Sequence, residues 1–105
     1  MKLSQIPDLK NGQVCLVGIR GQNRIMRRVF KWREKRFGAI ECLIFSAPIR
    51  RNVRVKWDAV KRSLTIAGPR VPSSEISVPH YDLQICERVV NAPENAETWL
   101  NQKAA

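Results

Sequence analysis

The sequence is poor in the residues from which most enzymes and metal sites are built. It contains one histidine, His80, and three cysteines, Cys15, Cys42 and Cys86. No Cys-x-x-Cys pair occurs, which argues against a zinc site. His80 and Cys86 are close in sequence, but a lone histidine is more often structural than catalytic. No P-loop, dinucleotide-binding glycine motif or carboxylate pair occurs. We therefore expect no enzymatic activity, no metal and no cofactor.

Long apolar runs are also absent. No stretch approaches eighteen apolar residues, and the opening segment MKLSQIPDLKNG lacks the apolar core of a secretion signal. The cysteines are odd in number and each lies in an apolar run, which is typical of reduced, buried thiols. A hydrophobic content of 44% favours a folded chain over a disordered basic tail. We expect one domain spanning residues 1–105, cytoplasmic and without integral membrane association.

Acidic residues are scarce in the middle of the chain. Residues 20–70 contain fifteen Lys or Arg and three acids, a net charge of +12, whereas residues 71–105 carry −3. A charge that served only solubility would be spread more evenly. A local field of this strength indicates a surface that meets a polyanion. Nucleic acid, either DNA or RNA, is the leading candidate, and an acidic protein or an anionic membrane surface comes next.

The apolar pattern predicts mainly strands. Residues 13–19 (QVCLVGI) are continuously apolar, as in a strand buried on both faces, and residues 38–46 form a second apolar strand. Val53, Val55 and Trp57 alternate with basic residues, so residues 52–67 are predicted to form a hairpin with one basic face. Residues 68–79 are predicted to be a loop or irregular strand, 81–90 a further strand, and 93–102 a short C-terminal helix.

Residues 24–37 (RIMRRVFKWREKRF) fit two structures. As a helix, Ile25, Met26, Val29 and Phe30 would share one face. As a long twisted strand, Met26, Arg28, Phe30 and Trp32 would lie on one side. We favour the strand, because the flanking segments resemble strands and Gly21 lies where a hairpin turn needs it.

Basic residues interleaved with aromatic ones suit single-stranded nucleic acid, because cations neutralise phosphates while aromatic rings stack on bases. Trp32, between Lys31 and Arg33, is the candidate for stacking, whereas Phe30 and Phe37 are expected to face the core. A second basic group near residue 50 would extend the same surface if its strand lies beside the first. The predicted nucleic-acid-binding residues are Arg20, Arg24, Arg27, Arg28, Lys31, Trp32, Arg33, Lys35, Arg36, Arg50, Arg51, Arg54 and Lys56.

Four short strings resemble a known family. NGQVCLVGIR, then MRRVF, and later NVRVKW and SLTIAGPRV are similar to the later half of the LexA/UmuD-type domain, the self-cleaving domain of repressors. The similarity covers roughly residues 11–71. It implies a shared β-scaffold and a homodimer.

The resemblance does not extend to the family's catalytic residues. Arg27 or Arg28 occupies the position that matches the catalytic lysine, and an arginine stays protonated and cannot activate a serine. The family's nucleophile lies well upstream of its lysine, and Ser4 is too close to take its place. The resemblance therefore implies a scaffold without proteolysis.

A five-stranded barrel of the oligonucleotide-binding type fits the same order of strands, and its strand face commonly binds single strands. The sequence thus predicts a mainly β, single-domain barrel or twisted sheet, similar to this barrel or to the repressor-type scaffold. The predicted function is a non-enzymatic, basic nucleic-acid-binding protein. The alternative is a small regulatory module that docks its arginines on an acidic protein. A membrane-surface role would require residues 24–37 to be a basic amphipathic helix.

Overall fold

A computed structural model describes residues 1–49, 54–67 and 73–89 of the chain. The mainly β prediction is confirmed. No helix in these ranges is long and apolar enough to cross a membrane. The helix predicted for residues 93–102 lies outside the described ranges. The strands are β1 Val14–Ile19, β2 Met26–Arg36, β3 Ile40–Ser46, β4 Val55–Asp58, β5 Ser63–Ile66, β6 Glu75–Pro79 and β7 Leu83–Arg88, with short 3-10 helices at Leu3–Gln5 and His80–Asp82.

The ambiguous basic segment is a strand. β2 runs for 11 residues and pairs antiparallel with β1 on one side and with β3 on the other. Gly21 has a φ of +84° in the turn between β1 and β2, a conformation that glycine adopts without steric cost. Because β2 is extended, the basic amphipathic helix that a membrane-surface role requires does not form.

Five strands form one antiparallel sheet in the order β6-β3-β2-β1-β7. A flat sheet of five strands would separate its edges by about 19 Å. The chain crosses between the edge strands β6 and β7 through only the three residues His80–Asp82, and such a link reaches at most about 14 Å. The sheet is therefore strongly curled. No pairing closes β6 onto β7 in the described ranges, so the fold is a twisted sheet and not a closed barrel.

One face of the sheet carries the larger apolar cluster, and we call it the inner face. Its buried residues are Ile6, Leu9, Cys15, Val17, Phe30, Leu43, Phe45, Val78, Leu83 and Cys86. The rings of Phe30 and Phe45, paired across β2 and β3, meet edge to face with their centroids 5.9 Å apart. The segment before β1 contributes Ile6 and Leu9 and so covers part of this face.

The β4–β5 hairpin covers part of the opposite, outer face. Val14 and Val29 of the sheet pack there with Leu64, and Val55 and Trp57 pack against the same cluster. The prediction of a hairpin over residues 52–67 is confirmed for residues 54–67, while Val53 lies outside the described ranges. Because apolar residues cover both faces of β1, its sequence is continuously apolar, as predicted.

A buried polar contact holds the hairpin on the sheet. Gln13, fully buried, donates from Nε2 to Oγ of Ser63 over 3.0 Å, and its Oε1 accepts a hydrogen bond from the backbone N–H of Lys10 over 2.8 Å. Gln13 also bridges to Thr65 of β5. The hairpin is thus held by hydrogen bonds as well as by apolar packing.

Candidate nucleic-acid interface

Arg27 and Arg28, at the centre of the predicted basic surface, are buried. Their side chains are only 7% and 5% exposed. Nη2 of Arg27 donates to the carbonyl of Ile49, and Nη1 of Arg28 donates to the carbonyl of Ser46 over 2.9 Å. Burial lowers the pKa of Arg28, because the charged form loses its hydration. Neither side chain therefore belongs to the exposed basic surface in this structure.

Arg20 and Arg24 lie in the turn between β1 and β2, at the far end of β2 from Arg36. Arg20 lies 3.9 Å from the carboxylate of Asp82 and donates to the carbonyl of Tyr81. Arg24 is exposed, and its side chain has no partner within the described part of the chain. The ten steps along β2 separate this turn from the other end of the strand by about 33 Å. The basic run of the sequence is therefore divided between two ends of the molecule.

A bulge in β2 decides where the aromatic residues point. In a regular strand Phe30 and Trp32 would share a face, as the alternation predicts. The register shifts between them, so Phe30 pairs with Phe45 and Trp32 pairs with Ile44. Phe30 therefore faces the inner cluster, whereas Trp32 lies on the outer face and is 41% exposed. The prediction that both lie on one side is wrong, and the extra residue Lys31 is the reason.

Trp32 borders a shallow depression on the outer face, beyond the β4–β5 hairpin. The depression has a volume of about 280 Å³ and is lined by Trp32, Arg36, Ile44, Glu75, Ile76 and Ser77. Nε1 of Trp32 donates to Glu34 over 3.2 Å, and Nε of Arg36 donates to the other oxygen of the same carboxylate. These two hydrogen bonds, that from Trp32 first, lower the pKa of Glu34.

Among the residues that the structure describes around this depression, the charges balance. Nζ of Lys31 lies 4.0 Å from Glu75, and Arg36 pairs with Glu34. Two cations therefore face two carboxylates beside the exposed indole. A phosphate placed here would compete with acids already in position, so the depression by itself is a weak anion site.

The β2–β3 ribbon continues past the depression to an exposed tip. Its turn contains Phe37, whose side chain is 91% exposed, and Gly38. Lys35, two residues before Phe37, is exposed and its side chain makes no hydrogen bond or ion pair within the described ranges, while Arg33 donates to the carbonyl of Pro7 over 3.0 Å. The expectation that Phe37 faces the core is wrong, because the turn carries it beyond the sheet. The following Gly38 was the available signal that a turn begins here.

The β4–β5 hairpin presents a second group of exposed cations. The side chains of Arg54, Lys56 and Arg62 are exposed and have no partner among the residues the structure describes. Lys56 projects from the side of β4 opposite to Val55 and Trp57, as the alternation predicts. Arg50 and Arg51, predicted to belong to this group, lie outside the described ranges.

The overall balance of charge remains strongly positive. The described ranges contain fifteen Lys or Arg and seven Asp or Glu. Ion pairs within 4.0 Å join three of these cations to acids. Within these ranges, burial removes only Arg27 and Arg28 from contact with solvent. Most of the positive charge is thus available at the surface as a broad field and not as one pocket.

Cys15 and Cys86 lie together in the inner cluster, and His80 lies beside Met1. Cys15 and Cys86 are buried free thiols, and burial raises the pKa of both, to about 11 for Cys86. The ring Nδ1 of His80 lies 3.0 Å from the carbonyl oxygen of Met1. Within the described ranges no group of three or more histidine, cysteine or carboxylate side chains could hold a metal ion.

Comparison with known proteins gives no relatives. No family model matches the chain, and no curated protein or solved structure matches it. The resemblance to the LexA/UmuD-type domain therefore stays a prediction.

Proposed function

We propose that the protein is a non-enzymatic nucleic-acid-binding protein that prefers single strands. The observation that carries this proposal is the composition of the β2–β3 ribbon, where two exposed aromatic rings, Trp32 and Phe37, lie beside exposed cations. Proteins that bind single strands combine these two elements, since cations follow the phosphates and rings stack on bases. The ribbon is held in place by the inner apolar cluster, so its exposed face is free to bind.

Binding would begin with phosphate neutralisation. The cations suited to it are exposed and form no ion pair within 4.0 Å, and Arg24, Lys35, Arg54, Lys56 and Arg62 meet both conditions within the described ranges. Each neutralised phosphate releases condensed counterions, which favours association at low salt. These contacts carry no base information, so the proposal implies weak sequence preference.

A salt titration with a single-stranded oligonucleotide tests the proposal. The protein is first freed of nucleic acid by nuclease and high salt, and binding is then followed by fluorescence anisotropy. Four to eight phosphate contacts predict that log K falls against log salt with a slope of roughly −3 to −6. A flat titration with no binding at about 50 mM salt, where screening is weak, rules the proposal out.

Poly-glutamate of similar length serves as the matched polyanion. The nucleic-acid proposal requires the oligonucleotide to bind more tightly at equal salt, because a carboxylate chain offers no bases for stacking. Equal or tighter binding of poly-glutamate would instead favour an acidic protein as the partner.

A further inference from the structure

The tip of the β2–β3 ribbon contains a phenylalanine that does not contribute to the apolar core. Phe37 is 91% exposed and has a φ of +52°, and the next residue, Gly38, has a φ of +86°. A bulky residue with positive φ is a genuine outlier, because its Cβ crowds the backbone. The side chain also exposes a large apolar area to water. Both features oppose folding.

The turn itself prefers a different residue. Two successive residues with positive φ are typical of turns dominated by asparagine, aspartate and glycine, and Asn-Gly is the strongest such pair. Gly38 meets this preference and Phe37 does not. Arg62, in the turn of the other hairpin, has a similar φ of +53°, so the strained backbone belongs to the turns and it is the exposed ring that distinguishes Phe37. We therefore look for a ligand that the exposed phenyl ring contacts.

The surroundings of Phe37 identify the chemistry of that ligand. Lys35 and Arg36 are the last two residues of β2 before the turn, and Lys35, although it lies opposite Glu41 in the register, makes no hydrogen bond or ion pair within the described ranges. An exposed ring beside a free cation fits a ligand that has both aromatic and anionic groups. A single strand of nucleic acid offers both, because each nucleotide carries a flat base and one phosphate.

We propose that Phe37 stacks on an unpaired base of a bound single strand, with Lys35 on an adjacent phosphate. This inference rests on the proposed nucleic-acid-binding function and names the residue that contacts the bases. Trp32, the stacking residue expected from the sequence, is tied to Glu34 in a depression whose charges balance. Phe37 has no such restraint, and its ring is reachable from both faces.

Phe37→Asn tests the inference, because it removes the ring and suits the turn. The expected result is a melting temperature equal to or above that of the wild type, together with a ~5- to 150-fold loss of affinity for an unstructured oligonucleotide. The slope of log K on log salt should stay unchanged, because no cation is lost. Phe37→Trp should retain affinity.

Val60→Asn is the matched control, since Val60 is 94% exposed in the turn of the other hairpin. It should leave affinity unchanged. An equal loss in both variants, a Phe37→Asn variant that binds as the wild type does, or one that melts several degrees lower would each overturn the inference. An equal loss on a duplex would also overturn it, because it would indicate insertion between paired bases. If the wild-type protein itself binds no oligonucleotide, the proposed function fails, and the inference fails with it.

Discussion

Trp32 donates its indole hydrogen to the carboxylate of Glu34 over 3.2 Å. The two residues are neighbours on the outer face of β2, on the same side of the strand. Since Glu34 also pairs with Arg36, one carboxylate both orients the exposed indole and neutralises the nearest guanidinium. The pKa of this carboxyl is lowered accordingly, so the pair persists at neutral pH.

Glu34→Gln should strengthen nucleic-acid binding. Glutamine keeps an acceptor for Trp32 but leaves Arg36 without its counter-charge, so Arg36 becomes available to a phosphate. We expect affinity for a single-stranded oligonucleotide to rise roughly two- to five-fold, the scale of an exposed ion pair. Fluorescence anisotropy at constant salt measures it. Glu87→Gln, an equal change of charge on β7, is the control, and an equal gain in both variants would mean that only net charge matters.

Arg28 and Lys35 should respond differently to the same substitution. Arg28→Met replaces a buried cation whose Nε has no partner within the described ranges. An apolar residue of similar volume is often tolerated at such a site, so we expect the free energy of unfolding to stay within about 1 kcal/mol of the wild type or to rise. The slope of log K on log salt should not change.

Lys35→Met should leave stability unchanged and reduce the slope by about 0.7, the value of one contact on a single strand. Denaturant unfolding and salt titration of both variants check this, and a reduced slope for Arg28→Met would place Arg28 in contact with phosphate.

Gln13→Leu should loosen the β4–β5 hairpin from the sheet. Leucine is similar in volume but leaves the Ser63 hydroxyl and the Lys10 N–H without their partner. An unsatisfied buried polar group costs about 1–3 kcal/mol, so the midpoint of urea unfolding should fall. Gln84→Leu, at an exposed position of β7, should stay within about 0.5 kcal/mol. Equal midpoints for Gln13→Leu and the wild type would show that apolar packing alone holds the hairpin.

Alkaline pH should destabilise the fold through its buried thiols. The pKa of Cys86 is raised from 9.0 to about 11, and burial raises that of Cys15 as well. Between these values the unfolded chain loses thiol protons that the folded chain keeps, so the free energy of unfolding falls as pH rises through this window. Below pH 9.0 the contribution is fully present. Each thiol lowers the free energy of unfolding by up to about 1.4 kcal/mol for each pH unit of this window.

Cys86→Ala separates this effect from that of other groups at alkaline pH. The variant should be less stable at pH 7 but should lose less stability between pH 8 and about 10.5 than the wild type. Urea unfolding at the two pH values measures the difference. Identical losses in the two proteins would assign the alkaline transition to other groups.

Local sequence patterns were sufficient to predict the strands of this fold but not the directions in which individual side chains point. The alternation around Val55 and Trp57 predicted the hairpin because each strand is paired with its immediate neighbour. The burial of Arg28 could not be read in the same way. It depends on Cys15 and Ser46, which lie on other strands and reach Arg28 only in the folded sheet.

The bulge at Lys31 explains the remaining error in the candidate site. Alternation assigns Phe30 and Trp32 to one face, and a single extra residue moves them to opposite faces. Nothing in the composition of β2 marks the place of this residue. The exposure of Phe37 was closer to being predictable, because Gly38 follows it and glycine marks a turn.

The pairing of β1 with β7, the last of the described strands, sets the order in which the sheet can be completed during synthesis. β1, β2 and β3 follow one another and pair as neighbours, so they can assemble as soon as they leave the ribosome. The other edge of β1 stays unpaired until β7 has been synthesised, since Cys15 of β1 pairs with Arg88 of β7. Until β7 emerges, the nascent chain carries an unpaired β1 edge rich in valine, leucine and isoleucine. Such an edge can pair with another chain, so the interval before β7 appears is the period of greatest aggregation risk.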